Sequence, residues 1–256
     1  GDLDAIARVA QSAQSVEPYA AKGVLEDIAK ARRMVKLGID TEEKFNQAKA
    51  NLDRLTGPKP KIDETAQAIK QAEAKLIGMR EPGVFFTPKD LADRVVEKAD
   101  IQPGMKVLEP SAGKGDLADA VKRAQPEADV STVEVRPSLQ DILKLKGHNV
   151  VGRDFMTDTL EPVYDRIVMN PPFENGQDIA HVQRAYDLLK PGGKLVAIMS
   201  ESPFFRSEKK FADFRDWMNK VGATAEKLPA KSFTGAGTIT QTGTAARLLT
   251  VEKPQS

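Results

Sequence analysis

From about Gly83 to the C-terminus, short apolar runs alternate with stretches of helical spacing. That alternation restricts the chain to a mostly parallel sheet with helices packed on it. Lys106-Val107-Leu108-Glu109 reads as a buried strand closing at Pro110, followed by a helix over 116–124. A second strand is expected over 130–135, a third over 149–151 and a fourth over 165–169, the last ending at Asn170-Pro171-Pro172. A helix over 181–189 is stopped by Pro191-Gly192-Gly193. A fifth strand over 195–199 and a helix over 211–221 follow, the helix ended by Gly222. Two more strands are expected near 225–228 and 245–251, with 235–244 between them as a mobile loop. The expected fold class is α/β: a Rossmann-like sheet of seven strands with helices on both faces.

Residues 1–80 have another texture, rich in Ala, Lys, Glu, Gln and Asp and almost free of aromatics. Val24, Leu25, Ile28 and Ala29, then Met34, Val35 and Leu37, recur at helical spacing. Thr41 before Glu42 and Glu43 offers a helix N-cap with an acidic first turn. Gly57-Pro58 and Pro60 stop that helix, and another is expected over 63–79. The division is therefore an N-terminal helical region, 1–80, and a second domain, 81–256. The helices read as a hairpin or bundle beside the main domain, with a dedicated DNA-binding element as the alternative. Residue 1 is Gly rather than Met, which suggests a cloning remnant or a fragment of a longer protein.

The chain has no cysteine, which excludes disulfides, thiolate metal sites and a cysteine nucleophile. His148 and His181 are its only histidines, so no metal centre is expected. No apolar run is long enough for a membrane span, and no signal peptide is visible. A cytoplasmic protein fits this pattern. The formal net charge of +1 does not announce a nucleic-acid binder, although clustered charge could still serve one.

Two constellations carry chemistry. In the first, Glu109-Pro110-Ser111-Ala112-Gly113-Lys114-Gly115 joins a strand to a helix start. Gly113 and Gly115 allow close backbone approach to a ligand, and the helix start presents free N–H groups. Glu134, about 20 residues on at the end of the second strand, can accept both ribose hydroxyls. This much says only that an adenosine-containing cofactor sits at the carboxyl ends of parallel strands. The carboxylate of Glu109 suits a sulfonium or amino group and would repel a pyrophosphate, which tilts the reading to S-adenosylmethionine. Asp154 could accept from the adenine amino group and Phe155 could cover its ring; a plain turn is the alternative for Asp154.

The second constellation is Asn170-Pro171-Pro172-Phe173, at the carboxyl edge after an apolar strand. An aromatic exocyclic amine is a weak nucleophile because its lone pair is delocalised into the ring. Two acceptors must grip its N–H bonds, and the Asn170 side-chain oxygen with the Pro171 carbonyl can do so. Pro171 and Pro172 add no competing donors and stiffen the turn. Phe173 can stack on a flat target, a contact worth roughly 1–3 kcal/mol per base. Direct in-line transfer needs no covalent enzyme intermediate.

At these residues the chain resembles the S-adenosylmethionine-dependent N6-adenine DNA methyltransferases that place the cofactor motif before the catalytic motif. The resemblance covers about residues 83–252. It implies a cofactor site made of Phe86, Thr87, Pro88, Glu109, Pro110, Ser111, Ala112, Gly113, Gly115, Glu134, Asp154, Phe155 and Asn170. Thr87 would be the polar contact to the methionine end of the cofactor, with Phe85 beside the element. It implies Asn170, Pro171, Pro172 and Phe173 as the catalytic set, adenine N6 in DNA as acceptor, and a role in restriction-modification or in a phage or mobile element. Two departures stand out. No large C-terminal recognition domain follows, which leaves target choice to the N-terminal helices, the 235–243 loop, a protein partner, or nothing at all. Arg136 stands where many relatives carry an acid or polar residue. RNA adenine or protein glutamine as acceptor stays open, as does a non-catalytic cofactor-binding module. His181 reads as a helix-surface residue rather than a base. Phe204, Phe205 and Arg206 could line an acceptor cleft, and Arg32, Arg33, Lys209 and Lys210 could touch phosphates.

Overall fold

The computed structural model describes residues 3–13, 18–56, 63–79, 86–229, 232 and 245–255. Its elements are α1 (Leu3–Ala13), α2 (Pro18–Lys36), α3 (Glu42–Thr56), α4 (Glu64–Met79), α5 (Lys89–Ala99), β1 (Lys106–Glu109), α6 (Asp116–Ala124), β2 (Asp129–Val133), α7 (Pro137–Leu145), β3 (Asn149–Gly152), β4 (Tyr164–Met169), α8 (Gln177–Asp187), β5 (Leu189–Ser200), α9 (Lys209–Val221), β6 (Thr224–Lys227) and β7 (Ala246–Glu252). They fall into two compact units, Gly1–Ile62 and Asp63–Ser256.

In the first unit α1 packs on α2, burying Ala7, Ala10, Ala21 and Ile28, and Arg32 pairs with Asp4 across the two helices. Thr41 Oγ1 accepts the Lys44 N–H at 3.3 Å and so caps α3. The sequence-based division put α4 in the helical region 1–80, whereas α4 lies in the second unit. The reason is its apolar side: Ala72 joins Phe86, Leu139 and Ile142 in a small cluster against α7.

The second unit is built on a seven-stranded sheet in the order β3-β2-β1-β4-β5-β7-β6. The first five strands run parallel, and β7 is antiparallel to β5 and β6. Val107, Leu108, Ile167, Val168, Met169 and the run Leu195 to Met199 are buried, as a sheet covered on both faces requires. One face packs Leu91, Val95, Leu117 and Val121; the other packs Phe155, Val182, Leu189 and Phe214. The chain steps outward from β1 to β3, then returns to lay β4 on the other side of β1. The turns after β1 and β4 therefore diverge at a switch point, where an open α/β sheet leaves a crevice.

Some boundaries differ from the sequence reading. Gly176 adopts φ +73°, which starts α8 at Gln177 rather than at His181. The Pro191-Gly192-Gly193 run lies inside β5, because the Gly192 N–H bonds the Lys253 carbonyl and the Lys253 N–H bonds the Gly193 carbonyl, both at 2.8 Å. Helices α5 and α7 were not anticipated as separate elements. Phe85 and the 235–243 loop lie outside the described residues. No helix among the described residues is long and apolar enough to cross a membrane.

Candidate functional site

A cleft of about 430 Å³ opens at the carboxyl edge of the sheet. The turns after β1, β2, β3 and β4 line it with Pro110, Ser111, Gly113, Glu134, Val135, Arg136, Arg153, Asp154, Phe155, Met156, Asn170, Pro171 and Pro172, and Gln177 and His181 of α8 complete it. Its size suits a small organic ligand.

The two glycines of the first turn do different work. Gly113 adopts φ +57°, and a Cβ built there would meet nothing within 4 Å, so it would project into the open cleft. Gly115 adopts φ +91°, but a Cβ there would stand 2.8 Å from Leu143 Cδ2. Gly115 thus serves the packing of α6 on α7, not the approach of a ligand. Glu134 holds the turn: Gly113 N–H donates to its Oε2 at 2.8 Å and Arg136 N–H to its Oε1 at 2.9 Å. Each oxygen keeps a lone pair for a further donor. Burial pushes this carboxyl above its ordinary pKa, against the lowering effect of those backbone N–H groups. Behind the turn, Lys146 Nζ donates to the Lys114 carbonyl at 2.9 Å and pairs with Asp119 and Glu73 at 2.8 and 3.0 Å.

Glu109 does not line the cleft. Its side chain is turned to α6, where Oε2 accepts the Ala118 N–H at 2.8 Å. Burial, with Asp116, Asp119 and Glu134 nearby, holds its pKa well above the ordinary carboxylate range. Ala112 is also buried away from the cleft. Phe86 packs on Leu139 and Ile142 with Lys114 5.1 Å from its ring centre, and Pro88 precedes α5. Thr87 is buried and reaches the site through another residue: its N–H donates to Asp116 Oδ2 at 2.9 Å, and its Oγ1 accepts from Asn170 Nδ2 at 3.1 Å.

After β3, Asp154 Oδ1 accepts the Met156 N–H at 2.9 Å. Phe155 is buried, its ring 5.7 Å from that of His181. Asp158, which the sequence did not flag, closes this turn: its Oδ2 accepts the N–H groups of Arg153 and Asp154 at 2.6 and 3.1 Å. A Cβ at Gly152 would stand 2.7 Å from that same oxygen, so the glycine and the aspartate go together. Asp178 was missed as well. It is fully buried at the start of α8 and accepts from the Ser200 N–H and Oγ at 3.0 and 2.7 Å, tying α8 to the end of β5. His181 is a correction: it is 9% exposed and lines the cleft rather than the helix surface.

Asn170 stands at the end of β4. With Nδ2 given to Thr87, its Oδ1 is buried without a hydrogen-bond partner, the one such side-chain atom among the described residues. A buried acceptor left unmet costs free energy and marks a place reserved for a donor. Phe173 is half-buried and packs against the core cluster around Val168 and Ile198.

A family model described as "Methyltransferase small domain" matches residues 75–214. The chain belongs to the methyltransferase small domain family. Curated relatives of this methyltransferase chain include the Type II methyltransferase M.CvrRI of Paramecium bursaria Chlorella virus XZ-6E, 33% identical over 36% of this chain and 24% of that protein. The Modification methylase CviBIII of Paramecium bursaria Chlorella virus NC1A is 31% identical over 36% and 26%. The Ubiquinone/menaquinone biosynthesis C-methyltransferase UbiE of Bordetella parapertussis is 32% identical over 48% and 49%. The aligned region spans a quarter to a half of these relatives. Among solved structures, the modification subunit of a putative type I restriction enzyme from Vibrio vulnificus YJ016 shares the fold, with a TM-score of 0.58 and 20% identity over 78% of this chain and 52% of that one. The cofactor of this methyltransferase is S-adenosylmethionine, and the cleft fits it. Glu134 keeps acceptor capacity for hydroxyls, and Gly113 leaves an open face.

Proposed function

We propose that the methyltransferase domain, 81–256 in the sequence-based division, methylates an exocyclic amino nitrogen, adenine N6 in DNA. The observation that carries this reading is the buried, partnerless Oδ1 of Asn170 at the carboxyl end of β4. S-adenosylmethionine supplies an electrophilic methyl group when bound. The residues of this chain then have to present the acceptor nitrogen to it. Asn170 Oδ1 and the Pro171 carbonyl each take one N–H of the incoming amine, which localises its lone pair. Thr87 takes Nδ2, which leaves Oδ1 for the amine. Pro172 stiffens the turn, and Phe173 flanks it. Glu134 takes the ribose hydroxyls, Asp154 the adenine amino group, and Pro110, Ser111 and Gly113 form the floor. Positioning of this kind is the main source of rate in a direct displacement.

The names of the two viral relatives, a type II methyltransferase and a modification methylase, support DNA as the acceptor. The test is transfer of tritiated methyl groups to DNA duplexes with and without N6-methylated adenines. Label is expected in unmethylated adenine-containing duplexes and absent with Asn170→Ala. Label in RNA or in protein glutamine alone overturns the acceptor. Cofactor binding with no transfer to any acceptor identifies a non-catalytic module.

A further inference from the structure

We infer that His181 is a further cofactor-reading residue, whose Nε2 accepts a hydrogen bond from the exocyclic amino group of the cofactor's adenine. This rests on the reading of the cleft given above. The imidazole lines the cleft from α8, while its Nδ1 lies 2.9 Å from the Gln177 carbonyl of its own helix. A carbonyl oxygen only accepts, so Nδ1 carries the proton. In the neutral ring Nε2 is then an acceptor, and it meets no partner among the described residues. Asn170 Oδ1 is the one buried partnerless side-chain atom among the described residues, so Nε2 is not sealed off and can be reached from the cleft.

The neighbours identify the ligand atom. The ring lies 5.7 Å from Phe155 and within the field of Asp154, the two residues assigned to the adenine. Asp154 and Asp178 are the charged groups that favour its protonation. Arg184 is engaged elsewhere: its guanidinium lies 5.4 Å from the Phe155 ring and donates to the Phe155 and Asp158 carbonyls. Burial lowers the pKa of the imidazole, against the Gln177 hydrogen bond and both carboxylates, and so favours the neutral ring. A second acceptor beside Asp154 would read both N–H bonds of an amino group and refuse a carbonyl oxygen in its place.

The experiment is calorimetric titration of the whole chain with S-adenosylhomocysteine and with S-inosylhomocysteine, in which that amino group is replaced by oxygen. The wild-type protein should prefer the adenosyl compound about tenfold or more. His181→Phe keeps a flat ring against Phe155 and should cut the preference about fivefold. His181→Gln carries both a donor and an acceptor, and should bind the inosyl compound more tightly than wild type does. A preference unchanged in both variants overturns the inference while leaving the cofactor site intact. Failure of the wild-type chain to bind the adenosyl compound overturns the cofactor reading, and this inference with it.

Discussion

Replacing Asn170 by alanine separates what this side chain does for folding from what it does for transfer. Its Oδ1 has left water without finding a donor, which costs about 1–3 kcal/mol in the folded state. Its Nδ2 gives one hydrogen bond to Thr87, worth about 1 kcal/mol net. Truncation removes both, and because the residue borders an open cleft, water can refill the space. The unfolding free energy should therefore stay level or rise by up to about 2 kcal/mol. Methyl transfer should meanwhile fall about 10²–10³-fold, the usual loss when one preorganised polar group at the reacting centre is deleted. Urea unfolding gives the first quantity and initial rates at saturating cofactor the second. A stability loss of more than about 2 kcal/mol would show that Oδ1 is satisfied in the free protein. Turnover within about threefold of wild type would show that it does not hold the amine.

The two glycines should fail differently. Gly115→Ala brings a methyl group against Leu143 and should cost about 1–3 kcal/mol of stability by thermal melting, whereas Gly113→Ala should melt closer to wild type and lose cofactor affinity in calorimetry. Glu109→Gln should flatten the pH dependence of stability and raise the melting temperature at pH 8. The native state favours the protonated Glu109, so its contribution is full below the unfolded pKa and is lost as pH climbs toward the raised folded value. A variant that melts below wild type at pH 8 contradicts this. Asp158→Ala frees the backbone at Arg153 and Asp154 and should weaken cofactor binding with little change in the rate at saturation, a split read from steady-state kinetics.

The architecture was legible because buried parallel strands announce themselves as unbroken apolar runs. Val107-Leu108 and Ile167-Val168-Met169 were located within a residue or two, while Leu195 to Met199 marked only the buried end of β5, which begins at Leu189. Helix α7 was missed although Pro137 at its first turn is a recognised start signal, and α4 went with the wrong unit because its partners, Phe86, Leu139 and Ile142, are distant in sequence. At the site, sequence order could bring Glu134, Asp154 and Asn170 to one sheet edge, but it could not say which way a side chain turns. Glu109 closes β1 and Glu134 directly follows β2, yet one turns to α6 and the other holds the glycine turn. Asp158, Asp178 and His181 escaped because their significance lies in contacts with Arg153, Ser200 and Phe155, which no local pattern encodes.

The position of α4 bears on how this chain can be cut. Glu73 in that helix is a partner of Lys146, whose ammonium also grips the Lys114 carbonyl beside Gly113 and Gly115. An excised catalytic fragment beginning at residue 81 would strip that anion away and bare the apolar patch of Phe86, Leu139 and Ile142. One beginning at Asp63 retains both, so a shortened methyltransferase fragment should start there.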